Sequence, residues 1–287
     1  MKTLTKYLNE KLIIFPSQVD EKLIINKDYK SPYTCVPKSF NELRKIIKNR
    51  YKKFGQGTND NPIDFNDVDV SNIDSFYNKY YDTGIFDKTK FEYIDISDWN
   101  VSNVKYMNYM FDKHEQLKSV GDLSKWDVSN VKSMNDMFGR CEQLTSVGDL
   151  SNWNVSNVES MSGMFFKCKQ LKSVGDLSNW NVSNVESMSS MFYMCKQLKS
   201  VGDLSDWNVS KVINIGGAFS DCCNLKSVGD LSNWNVSNIV NMSDMFFNCE
   251  QLKSVGDLSK WNVSGVKYMF DMFNNSGITN IPDWYKG

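Results

Sequence analysis

The chain has 287 residues, with 33 basic and 34 acidic side chains, one His, seven Cys, eight Trp and 14 Met. A hydrophobic fraction of 41% is enough for a core and excludes a disordered chain. Near-zero net charge gives no general pull toward nucleic acid or an anionic membrane, and a single His removes most His-based metal and triad chemistry.

Residues 1–60 lack the repeat that follows. Lys2 and Lys6 precede only a short apolar run, Leu12-Ile13-Ile14-Phe15, too short for a secretory signal. No stretch approaches the roughly 18 apolar residues of a membrane span. The location expected by default is therefore the cytosol. Thr3 to Leu12 reads as a short helix. Ser39-x-x-Glu42 opens a basic amphipathic helix, Phe40 to Tyr51, that ends near Gly55. Gly55 to Pro62 is a polar turn or linker. The expected role of this segment is to cap the first repeat; its rival is basic-helix binding to nucleic acid or membrane.

From residue 61 to 287 the chain is periodic. Trp99, Trp126, Trp153, Trp180, Trp207, Trp234 and Trp261 recur every 27 residues, which predicts a solenoid. A degenerate copy precedes them at Val70-Ser71-Asn72-Ile73, and the last copy is cut short after Phe273. The units at Trp153 and Trp180 differ at only four of 27 positions. Within a unit, Val158, Met161, Met164, Phe165 and Cys168 fall on one face of a helix, with Ser156 and Glu159 as a capping box. Each unit is thus expected to carry a helix of roughly ten residues. Leu171, Val174, Leu177, Trp180 and Val182 then fit the strand and turn of a leucine-rich repeat, with Gly175 as a one-residue bulge. The fold class predicted is α/β, a solenoid of stacked short strands and short helices with a small α-containing N-terminal cap. Neighbouring coils bury one another's apolar faces, because a single unit has no second layer.

Trp-(Asn/Asp)-Val-Ser-Asn-Val, then Met-x-x-Met-Phe-x-x-Cys, then Leu-x-x-Val-x-x-Leu-Ser, resembles the BspA-type leucine-rich repeat surface proteins of bacteria. The resemblance covers about residues 62–287. It implies a right-handed solenoid and a non-enzymatic role in adhesion or protein binding at a cell surface. The units at Trp99, with His114 in place of Cys, and at Trp207, with Ile215-Gly216-Gly217-Ala218, depart from the pattern.

Several columns invite a functional reading. Cys141, Cys168, Cys195, Cys222 and Cys249 read as small buried side chains; the spacing is no metal motif. An odd Cys count in a long chain is not a disulfide scaffold, although stacked neighbours could approach bonding distance. The Met column, Met107 to Met269, reads as core. Asp122, Asp149, Asp176, Asp203, Asp230 and Asp257 form an acidic ladder. Lys118, Lys172, Lys199, Lys226 and Lys253, four residues earlier, could neutralise it. This face is either solvated and neutral or a contact surface for a partner, with Lys172, Asp176, Lys199, Asp203, Lys226 and Asp230 as candidate residues. A Ca²⁺ site would need several converging oxygens per turn, and each unit offers one carboxylate there. The Asn-Val-Ser triplets starting at Asn100 and Asn154 read as turns and helix caps, with Asn side chains as a possible hydrogen-bonded ladder, in preference to glycosylation sites. Phe166, Tyr193 and Phe247, on the variable outer side, are the alternative contact site. Gly216 and Gly217 would lie mid-helix, making the Trp207 unit the weak link.

No P-loop, dinucleotide fingerprint, nucleophile elbow or metalloprotease helix is present. The expectation is a monomeric, non-catalytic repeat scaffold without cofactor that binds protein. A structural spacer without a specific ligand is the first alternative, and an enzyme housed in residues 1–60 the second.

Overall fold

The computed structural model describes residues 33–287, which form one compact unit. The expected helix over Thr3 to Leu12 lies outside the described residues. Helix α1 spans Phe40–Phe54. Ser39 caps it by accepting the backbone N–H of Glu42 at 3.3 Å, and Glu42 accepts the N–H of Lys38 at 2.9 Å. Gly55 ends it with φ +76°, in the left-handed region where a residue without Cβ carries no steric cost. Leu43 and Ile47 turn into the common core. Tyr51 packs edge-on against Phe91, and Arg50 lies over the Phe65 ring. The α1 helix is thus seated on the first coil.

Four two-residue strands follow: β1 Ile63–Asp64, β2 Tyr77–Asn78, β3 Thr83–Gly84 and β4 Ile94–Asp95. Strands β1 and β4 pair in parallel, and β2 and β3 form an antiparallel hairpin.

Beyond β4 the coils stack as expected, but their internal structure differs from the expectation. Among the described residues α1 is the sole α-helix, and residues 158–168 contain none. Ser160 instead makes parallel bridges to Ser133 and Ser187, and a series of three-residue turns follows. The turns close by Met164 N–H to Met161 C=O (3.2 Å), Phe166 to Gly163 (2.9 Å) and Cys168 to Phe165 (3.0 Å). Two residues per coil take left-handed backbone here, Gly163 and Lys167 in one coil and Ser190 and Met194 in the next. A left-handed residue breaks an α-helix. Successive tight turns return side chains inward about every three residues, so they mimic the helical period.

What replaces the helix is bonding between coils. Met161, Gly163, Phe165 and Lys167 donate their N–H groups to the carbonyls of Ser187, Ser189, Met191 and Tyr193, at 2.7–2.9 Å. The equivalent four bonds recur at each coil junction from Met107–Ser133 to Met242–Tyr268. The Ser160–Met161 peptide accepts from Met134 and donates to Ser187. Hydrogen-bond chains therefore run along the solenoid axis, every N–H in them pointing toward the C-terminal end. Aligned peptide dipoles of this kind reinforce one another.

Side chains add three more ladders. Each Trp indole donates to a backbone carbonyl one coil back, Phe65 for Trp99, Ile96 for Trp126 and a Leu thereafter, as in Trp153 Nε1 to Leu123 O at 2.9 Å. Trp153 and Trp180 stack with centroids 6.5 Å apart and planes 1° from parallel. Asn157 Nδ2 donates to Ser129 O at 2.7 Å, and its counterparts at Asn130 and Asn184 do the same. The Asn ladder is thus made by the Asn four residues after each Trp, a place taken by Lys211 in the Trp207 unit and Gly265 in the Trp261 unit. The Asn next to the Trp, such as Asn154, accepts the N–H of Ser156 at 3.2 Å and shapes the turn. The proposed capping box is corrected accordingly: Ser156 starts no helix.

The Leu, Val, Met, Phe and Cys columns are buried. Between Leu171 and Leu177 the expected strand reduces to isolated coil-to-coil bonds, Leu177 N–H to Val201 C=O at 2.9 Å and Lys172 N–H to Thr145 C=O at 3.3 Å. Gly175 has φ +87°, and an added Cβ would collide with the Asp149 carboxylate of the preceding coil. The glycine column therefore makes room for the aspartate column.

The Trp207 coil is not weakened in the way anticipated. Gly217 sits at the left-handed position with φ +63°, where glycine is the least strained residue. The mid-helix penalty does not apply.

Candidate functional site

Lys172, Asp176, Lys199, Asp203, Lys226 and Asp230 are all exposed, stacked coil upon coil. Lys226 N–H donates to Lys199 C=O at 3.1 Å, fixing the spacing of that column. Among the described residues no ion pair joins these lysines to these aspartates; the ion pair of the column is Lys118 with Glu92, at 2.7 Å. Each aspartate is occupied locally. Asp176 Oδ1 accepts the Ser178 N–H at 3.0 Å, and Asp230 Oδ1 accepts that of Ser232 at 2.9 Å. Such bonds favour the charged carboxylate. The Ser232 backbone N–H holds Asp230 below the usual range, as that of Ser151 does Asp149. The Ser205 hydroxyl and N–H do the same for Asp203. The lysines remain available to solvent, so the face is a regular array of fixed anions and mobile cations.

The outer aromatics are half-buried. Phe166 stacks on Tyr193 at 5.1 Å, with Arg140 and Lys167 over the Phe166 ring at 5.2 and 5.1 Å. Phe247 lies on the same column but outside that stack. The structure joins two of the three residues, and cations lie over the Phe166 ring.

One cluster was not anticipated. Tyr109 and Asp136 occupy the same left-handed position of two successive coils, with φ of 55° and 48°, and Asp82, with φ 52°, lies beside them in the turn of the β2–β3 hairpin. Asp112 lies between them and bonds Arg140 at 2.9 Å. Tyr77 donates its hydroxyl to Asp82 at 2.9 Å and is pushed up to about 12, first by burial and then by that bond. Burial, with Asp112 nearby, pushes Asp136 up to about 6. These residues come from separate coils, so no contiguous motif signals them. The available clue is an Asp where the Trp153 and Trp207 coils carry Gly163 and Gly217.

The remaining columns are structural. His114 replaces a Cys and is buried; its Nδ1 faces Phe111 O at 3.1 Å and its Nε2 faces Thr89 Oγ1 at 3.0 Å. Burial lowers its pKa. Cys168 Sγ donates to Phe138 O at 3.1 Å, and Cys195 to Phe165 O at 3.1 Å. All described cysteines are free thiols, and burial pushes Cys141, Cys168, Cys195 and Cys222 well above the ordinary range. Such thiols are poor nucleophiles. Among the described residues no group of three or more His, Cys, Asp or Glu is placed to hold a metal ion. No helix among them is long and apolar enough to cross a membrane.

The model of the family described as "Mycoplasma protein of unknown function, DUF285" matches residues 48–174, 81–200 and 170–284. The chain belongs to this family. The more specific BspA resemblance stays a resemblance. No curated protein matches the sequence. A leucine-rich repeat protein from Eubacterium ventriosum is similar at 15% identity, over 75% of this chain and 44% of that one, with TM-score 0.33. The chain thus spans less than half of that protein's length. A leucine-rich repeat protein from Bacteroides ovatus is similar at 16% identity, over 71% of this chain and 77% of that one, with TM-score 0.23. At these scores the fold description rests on the coil geometry above.

Proposed function

We propose that this DUF285-family chain is a non-catalytic repeat scaffold that binds protein through its Lys/Asp face. The observation that carries the reading is the exposed lysine column, Lys172, Lys199 and Lys226, beside aspartates already satisfied by their own turns. Charges spaced by a rigid stack suit an acidic or mixed-charge protein surface and speed its encounter. Adhesion at a bacterial surface is the setting that the sequence resemblance suggests. The half-buried Phe166–Tyr193 stack is a weaker contact site, because the Phe166 ring already lies under Arg140 and Lys167.

The test is affinity capture from a bacterial surface extract, using the full chain and a Lys172→Glu, Lys199→Glu, Lys226→Glu variant. A protein retained by the native chain and lost by the folded variant supports the proposal. Equal retention by both, or none by either, contradicts it and favours a spacer role.

A further inference from the structure

The residues of the Lys/Asp face barely change from coil to coil. Lys-Ser-Val-Gly-Asp recurs unchanged at residues 118–122, 172–176, 199–203, 226–230 and 253–257, and at 145–149 only Thr145 departs from it. In the central coils Val174, Val201 and Val228 are buried, and the Lys, Ser and Asp around each are exposed. Between the charges stand only serine and glycine, such as Ser173 and Gly175. No bulky side chain separates a partner from either column.

Both charges are open to a partner. Ion pairs nearby engage Lys118 with Glu92 and Lys169 with Glu142, and among the described residues none engages Lys172, Lys199 or Lys226. Asp176, Asp203 and Asp230 use Oδ1 to accept the N–H of Ser178, Ser205 and Ser232, at 2.9–3.0 Å. Their Oδ2 atoms make no bond among the described residues.

This combination selects the occupant. A linear polyanion lying along the lysines would also lie along the aspartates, which repel it, and a polycation meets the converse. An irregular surface would match one coil and miss the next. A second copy of this chain carries both columns at the same coil spacing. Turned half a turn about a line in the face parallel to the solenoid axis, it lays its lysines over these aspartates and its aspartates over these lysines. Equal coils then oppose each other. Half a turn about the perpendicular line sets Lys on Lys and Asp on Asp, so the charges choose the parallel arrangement.

We propose that the Lys/Asp face joins two copies of this chain as parallel solenoids. Lys172, Lys199 and Lys226 of each copy oppose Asp176, Asp203 and Asp230 of the other. The inference rests on the reading of this face as protein-binding, and names the partner. Exposed ion pairs are individually weak, so repetition along the stack holds the pair together. Such an interface is screened by salt.

The test is sedimentation of the full chain at low and high salt, beside two triple variants. One is Lys172→Glu/Lys199→Glu/Lys226→Glu and the other Asp176→Asn/Asp203→Asn/Asp230→Asn. Asparagine keeps an Oδ1 to accept the serine N–H, so the second variant removes charge and preserves the turn. Near-ultraviolet circular dichroism of the stacked Trp residues checks that both are folded. A native dimer is expected, weakened by at least about tenfold by high salt and by either variant. Carbodiimide coupling in a mixture of ¹⁴N and ¹⁵N chains is expected to join Lys199 of one copy to Asp203 of the other. A native chain that stays monomeric overturns the inference; a foreign protein captured by that monomer leaves the protein-binding reading standing. A dimer indifferent to the Asp→Asn variant, or one coupled between Lys172 and Asp230, overturns it as well.

Discussion

The coils that open at Trp153, Trp180 and Trp207 and those that open at Trp99 and Trp126 share one backbone plan but carry different residues on it. In the central coils the first of the two left-handed positions holds Gly163, Ser190 and Gly217, small residues without charge. In the two earlier coils the same position holds Tyr109 and Asp136, and the Cys place of the first holds His114. The hydrogen-bond chains pass through both regions unchanged. The backbone ladder therefore sets the fold, and the side chains of a column are free to diverge where they do not fill the core. The central region is expected to respond to sterics, and the earlier one to pH.

The largest expected effect lies in the central coils. Gly202→Ala places a Cβ at φ +89° against the Asp176 carboxylate, and should cost about 3 kcal/mol. Chemical denaturation checks this, and a neutral result would break the claim that glycine and aspartate columns interlock. Next is Asp136→Asn, expected to stabilise by about 1 kcal/mol at pH 7, discounted for its partial exposure. Its folded pKa, about 6, lies above the usual 3.8, so its contribution is fully present below 3.8 and is lost as pH rises through 6. The gain from the Asn variant should accordingly vanish near pH 4; a gain independent of pH would remove the electrostatic explanation.

Comparable in size is a pair at the left-handed column. Ser190→Gly should stabilise, and Gly217→Ala destabilise, each by up to about 1 kcal/mol, reflecting backbone strain alone. A Cβ on Gly217 meets nothing closer than 3.4 Å. Opposite signs in thermal melts sharpen the comparison, whereas stabilisation by Gly217→Ala would restore the helix.

The smallest effect concerns His114. Its lowered pKa means that its contribution is present above the unfolded value of about 6.5 and is lost as pH falls below it. His114→Cys should leave stability at pH 8 within about 1 kcal/mol and flatten its decline between pH 6.5 and 5. An unchanged decline would mean that His114 is not its source.

The sequence made some of this legible and concealed the rest. The Trp period fixed the coil length, and the buried Leu, Val, Met, Phe and Cys positions followed from patterning. Ser39 and Glu42 marked α1 because capping is local chemistry. Residues 158–168 misled because three-residue turns bury every third side chain, as a helix does. Left-handed backbone at Lys167, Arg140 and Met194 has no residue signal, since it is imposed by bonding to the next coil. Gly163 and Asn248 were the faint clues. The Lys/Asp face was visible as columns, but its lack of mutual ion pairs depends on turns that hold each carboxylate. The Asp82–Asp112–Asp136 cluster is assembled across coils and could be seen only with the coils in register.

The central claim is that each coil is a helix-free series of turns joined to its neighbours along the axis. Backbone ¹³C shifts and ³J(HN–Hα) couplings over residues 158–168 and 185–195 test it most directly. The account predicts positive-φ signatures at Gly163, Lys167, Ser190 and Met194, with no helical run between them. Unbroken helical shifts across either stretch would contradict it.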